Sequence, residues 1–128
     1  MGKILTEISQ GELLDKLSIL EIKLKEIKDE LSLKEVKKEH TILSKIKTDN
    51  IENSEIIDDL FKKLKSVNEK IWKIENIKRN YEKKNNFDEG FIKISREEYK
   101  ANDERAMIKS KINHILDSNI KEVKQHVL

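Results

Sequence analysis

Residues Ser54 to Glu82, SEIIDDLFKKLKSVNEKIWKIENIKRNYE, contain neither glycine nor proline. Ile57, Leu60, Leu64, Val67, Ile71 and Ile74 recur at alternating three- and four-residue steps, the period of an amphipathic helix. Beside that stripe runs a mixed row, Phe61, Asn68, Trp72, Glu75 and Arg79. A helix apolar along one line and mixed along the next needs neighbours on both, so this one belongs inside a bundle. The rest of the chain agrees: it has no proline, and its only glycines are Gly2, Gly11 and Gly90. Sheet proteins of this length draw on turn residues that are missing here.

A chain of 128 residues forms one domain, 1–128, with enough length to bury a core. Charged residues make up 41% and hydrophobic ones 36%, a balance that suits disorder only where the apolar residues are scattered. Here they are periodic. A net charge of +2 lacks the basic excess of a nucleic-acid footprint. No apolar run is long enough for a membrane span, and MGKILTEIS is too short and polar for a signal peptide. Cysteine is absent, which excludes disulfides, thiol chemistry and cysteine-bound zinc. The expectation is a cytoplasmic protein with no cofactor.

Residues 1–8 read as an extended arm. Ser9 with Glu12 has capping-box spacing and opens GELLDKLSILEIKLKEI, where Leu13, Leu17, Leu20, Leu24, Ile27 and Leu31 keep a heptad. Phase is lost near Asp29–Leu33, where Ser32 and Glu35 offer a second cap. Residues 10–48 are therefore either two helices or one bent helix, with Thr48–Asn53 as a polar loop. After Ser54–Glu82, Lys83–Phe87 forms a turn, and Asp88 caps a last helix to about Leu116. Its stripe is Phe91, Ile94, Ala101, Ile108, Ile112 and Ile115, with Glu98 and Arg105 at two places where an apolar residue is due. Asp117-Ser118-Asn119 ends it, and 118–128 is a charged tail. The expected fold is all-α, an antiparallel bundle of three to four helices with two long C-terminal ones. At about 1.5 Å per residue those two overhang the first by roughly 10 Å. The stripe so exposed predicts a homodimer.

Of 27 basic side chains only Arg79, Arg96 and Arg105 are arginine. In a composition this rich in Lys, Ile and Asn, positions that keep arginine suit a flat, bidentate cation, either an anion clamp or a structural ion pair. Glu12 and Asp15 share a helix face in an ExxD pair that could hold a hard cation, but no EExxE precedes it. First-turn acids beside Lys16 are better explained by the helix dipole. Gly11 and Gly90 fall in first turns, where free backbone N–H groups can receive an anion. The densest polar set is Tyr99, Asn102, Asp103, Arg105, Lys109 and Asn113. Against Asn68, Trp72, Glu75 and Arg79 it predicts a polar layer inside the bundle, acting as a ligand pocket or as a network that fixes register. His40, His114 and His126 lack metal spacing, and no Ser, His and acid set suggests a nucleophile. Trp72 is expected in the core.

GELLDKLSILEIKLKEI, VNEKIWKIENIKRNYE and FDEGFIKISREEYKANDERAMIKSKIN together resemble an uncharacterised family of small helical bacterial proteins encoded among cell-surface polysaccharide genes. The resemblance implies a setting, glycan assembly on the cytoplasmic side, and no catalytic residues. Two readings follow. The first is a non-catalytic dimeric accessory or adaptor protein. The second is a protein or enzyme for a phosphorylated or nucleotide-sugar ligand, held by Glu12, Asp15, Lys16, Glu75, Arg79, Asn102, Arg105 and Lys109.

Overall fold

A computed structural model describes residues 2–124, so the end of the tail, with His126, lies outside the described residues. Four helices follow in order: α1 (Gln10–Glu26), α2 (Glu30–Asn50), α3 (Glu55–Lys83) and α4 (Glu89–Ile115). No strand occurs among the described residues, and none of their helices is long and apolar enough to cross a membrane. Residues 2–8 precede α1 without regular secondary structure and are exposed.

Each helix starts on a side chain that satisfies an otherwise orphaned N–H group. Ser9 accepts from Glu12 N at 3.0 Å, Ser54 from Ile57 N at 3.3 Å, and Asp88 from Gly90 N at 2.9 Å. The capping box at Ser9 is only half made, because the Glu12 carboxylate turns away to Lys109. The chain between Leu13 and Leu43 is two helices. Asp29 causes the break, accepting from both the backbone N–H and the hydroxyl of Ser32, at 2.8 and 2.6 Å. The cap is therefore Asp29, and the expected Ser32–Glu35 box is displaced by it. The expected loop is also shorter than its polarity suggests. Thr48, Asp49 and Asn50 stay helical, with Thr48 and Asn50 bonding back to carbonyls four residues earlier. At the other ends, α3 and α4 stop where Asn85 and Asp117 take positive φ, the left-handed turn glycine usually fills. Asn86 N–H then reaches Tyr81 O, and Ser118 N–H reaches Asn113 O.

Gly11 lies against the end of α4 near Asn113, and Asp15 against Arg105 further back, so α1 and α4 are antiparallel. Tyr81 meets Phe91 edge to face, which makes α3 and α4 antiparallel in turn. The order is up, down, up, down. α1 packs against all three other helices and α3 against α4, whereas α2 packs mainly on α1 and reaches α3 through Lys47, whose Nζ sits 4.9 Å from the Phe61 ring centroid. The hub is thus α1 rather than the long α3, because α1 carries apolar residues on two flanks. Leu13, Leu14 and Leu17 meet Leu60, Leu64, Ile108 and Ile112, and Ile51 closes one end. Each such side chain is worth about 1.5–3 kcal/mol of burial. Leu31 falls off the stripe onto α2 and is exposed. The overhang of α3 and α4 is partly closed by Tyr81, Phe91 and Phe87, stacked edge to face at 6.1 and 5.3 Å.

Gly11 is needed for close approach. A Cβ there would lie 2.6 Å from the Lys109 carbonyl oxygen and 2.7 Å from Asn113 Oδ1. Backbone cannot yield as a side-chain tip can. Gly11→Ala should therefore lower stability by about 1–3 kcal/mol, the usual range for overpacking. Urea unfolding followed by circular dichroism measures it, and an unchanged midpoint would refute the close contact.

Candidate functional site

The polar layer centres on one carboxylate. Asp15 is 1% exposed on the face of α1 turned toward α3 and α4. Its Oδ1 accepts from Asn68 Nδ2 and from Arg105 Nε, both at 2.9 Å, and its Oδ2 accepts from Arg105 Nη2 at 2.5 Å. Lys109 Nζ lies 3.4 Å from the same Oδ2. The second Asn68 amide hydrogen goes to Ser18 Oγ at 2.7 Å, and Ser18 donates to the Asp15 carbonyl at 2.8 Å. Burial pushes the Asp15 carboxyl up. Hydrogen bonds from Arg105 and Asn68, with the charges of Arg105 and Lys109, outweigh it and leave the group more acidic than an ordinary aspartate. Reciprocally, the hydrogen bond to Asp15 raises the Arg105 guanidinium.

The suture runs toward both chain ends. Lys109 Nζ meets Glu12 Oε2 at 2.5 Å, and Lys16 approaches Glu12 from the solvent side at 3.9 Å. Asn113 Oδ1 accepts the Gly11 N–H at 2.7 Å, while its Nδ2 donates to Glu122 at 2.9 Å. Ser9 also donates to Glu122, and Gln10 N–H donates to Ser118 Oγ. The free N–H groups at the start of α1 are thus taken by the protein's own oxygens, as is the Gly90 N–H by Asp88. An external anion has no opening at either glycine.

A second cluster joins α3 to α4 further along. Lys78 Nζ lies 2.9 Å from Glu98, and Glu98 also pairs with Glu75. The hydrogen bond to Glu98 raises the Glu75 carboxyl, helped by burial and by the charge of Glu98. Burial would raise Glu98 too, but Lys78 and Glu75 bring it below the ordinary range.

The fold therefore gathers Glu12, Asp15, Asn68, Arg105, Lys109 and Asn113, sets Lys16 on Glu12 at the surface and Glu75 and Arg79 beside Asn68 and Arg105, and turns Tyr99, Asn102 and Asp103 away. Asn102 donates to the Glu98 carbonyl of its own helix, Asp103 pairs with Lys124 at 2.8 Å, and Tyr99 is exposed. These three border a groove beside the tail, away from Asp15. Arg79 is exposed, and Trp72, expected in the core, is only half-buried beside it. Ser9, Ser18, Lys78, Glu98 and Glu122 complete the clusters. Of these, Ser9 carried a signal in its capping spacing with Glu12 and Glu98 in its place in an apolar stripe. Glu122 bonds a residue 113 positions away, which no spacing reveals.

Lys109 and Arg105 take the carboxylate oxygens that the ExxD reading assigned to a cation. Among the described residues no group of three or more His, Asp or Glu side chains is placed to hold a metal ion. Each Asp15 oxygen is engaged by at least one donor. The arrangement can fix the register of three helices.

The chain belongs to the family of unknown function DUF6165, whose family model matches residues 4–127. No curated protein and no solved structure matches it.

Removing one partner from a buried pair strands the other charge. Asp15→Ala should destabilise by about 3–5 kcal/mol, and the double change Asp15→Leu with Arg105→Met by much less; urea midpoints of the single and double variants test this. Because the folded Asp15 is more acidic than the unfolded one, its stabilisation is complete above the ordinary aspartate range and is lost as pH falls through the depressed native value. Unfolding midpoints should therefore drop more steeply in acid for the wild type than for Asp15→Asn.

Proposed function

We propose that this is a non-catalytic helical accessory protein that acts as a homodimer and docks other proteins, on the cytoplasmic side of cell-surface polysaccharide assembly in bacteria. The observation that carries the non-catalytic part is the saturation of Asp15. Asp15, the only fully buried carboxylate among the described residues, is spent on Arg105, Asn68 and Lys109. The polysaccharide setting rests on the family resemblance of the three sequence segments.

Support for association comes from α2. This helix packs mainly against α1, and away from that contact it presents Leu31, Ile42 and Ile46 at 77%, 53% and 42% exposure. Lys and Glu residues interleave them, as on a polar-rimmed interface. Ile4 and Leu5 in the arm are 95% and 89% exposed and add a second apolar edge.

Sedimentation velocity of the full chain should give twice the 15.1 kDa chain mass, and Ile42→Glu should return it to the single mass with its helicity intact. Deleting the gene should lower surface polysaccharide, and the Ile42→Glu form should fail to restore it. A wild type that stays at the single mass at every concentration would remove the dimer. Unchanged polysaccharide would remove the setting.

A further inference from the structure

A groove of about 370 Å³ opens between α1 and α3, with α4 contributing one residue to it. Ile19 and Ile22 of α1 form one wall, and Trp72 of α3 the other. Asn68 and Arg105, which also belong to the Asp15 network, line it, and Arg79 of α3 adds an exposed second guanidinium. The only tryptophan of the chain and two of its three arginines thus border one cavity.

The two arginines are used differently. Arg105 commits Nε and Nη2 to Asp15, and its Nη1 has no hydrogen-bond acceptor among the described residues. Arg79 closes no ion pair among them either. The other acid on the groove is Glu75, and it is hydrogen-bonded to Glu98, beside which Lys78 sits. Arg79 acts within the bundle only through its charge on Glu75, and a solvated lysine would serve as well for that. A planar, permanently charged donor beside an indole is the combination that receives a flat anion: apolar walls take the body, and guanidinium nitrogens take the charged end.

We propose that this groove is a binding site for a small organic anion with a single flat ring, the ring lying against Trp72, Ile19 and Ile22, and its carboxylate or phosphate on Arg79 and Arg105 Nη1. Ligand cavities span roughly 300–1,000 Å³, so this one sits at the lower end and suits one ring with one anionic group. The site is independent of catalysis and of the dimer. It gives an accessory protein a means of sensing a metabolite.

Trp72 is a built-in reporter, since no other tryptophan contributes to the emission. Phenyl phosphate, phenylacetate and inorganic phosphate are titrated into the full-length protein while its fluorescence is followed. At least one aromatic anion should change the emission saturably, and the tighter of the two identifies the anionic group. Inorganic phosphate, lacking the ring, should bind at least tenfold more weakly. Arg79→Ala should weaken the aromatic anion about tenfold or more at an unchanged unfolding midpoint, and Arg79→Lys should recover only part of it. No saturable change with either aromatic anion, or equal binding to Arg79→Ala, overturns the site. Neither result bears on the sedimentation measurement, so failure of the groove and failure of the dimer are distinguishable.

Discussion

Everything in this bundle turns on placing one negative charge where water cannot reach it. A lone carboxylate inside a protein carries a desolvation cost of several kcal/mol. Asp15 meets that cost with donors drawn from two other helices, Asn68 on α3 and Arg105 and Lys109 on α4. The donors arrive together only if α1, α3 and α4 adopt one mutual register. A slide of one turn along any interface would leave both the carboxylate and the guanidinium unpaired. Apolar stripes alone tolerate such slides, because leucine and isoleucine pack nearly as well one turn on. The polar layer supplies selectivity among packings rather than a large net gain in stability.

The same economy governs the ends of the chain. Ser9 begins α1 by accepting from Glu12 N–H, and its own hydroxyl donates to Glu122. Asn113 accepts from Gly11 with one end of its amide and donates to Glu122 with the other. Residues at the two extremes of the sequence therefore complete one helix terminus between them. Gly11 permits this, because only a residue without Cβ lets the backbones of α1 and α4 come so near. A turn that reads as a simple capping box is in fact a junction of three segments.

Much of this was legible in the sequence. The heptads of α1 and α3 announced helices apolar on two flanks, and the intrusion of Glu98 and Arg105 into the α4 stripe announced charges turned inward. Both do point inward, toward Lys78 and Asp15. The partner of Arg105 was harder to see. Asp15 looked like an ordinary first-turn acid, and its burial depends on crossing geometry that periodicity does not encode. The row Tyr99, Asn102 and Asp103 looked continuous with Arg105. The 100° step of the helix instead carries those residues round to another flank. Trp72 shows the same limit: its size argues for the core, but it lies at the rim between α1 and α3, beside Ile22, with one side open to a groove. Asp29 won over Ser32 because a carboxylate can accept from both the N–H and the hydroxyl of Ser32.

The lighter attachment of α2 has a mechanical meaning. α1, α3 and α4 are mutually clamped by the Asp15 donors, whereas α2 holds on through Val36, Leu43, Lys47 over the Phe61 ring and the buried Ile51 that follows it. Cooperative units of unequal strength follow from such unequal attachment. Opening of the second helix alone therefore costs less than opening any of the other three, because it leaves the polar layer closed.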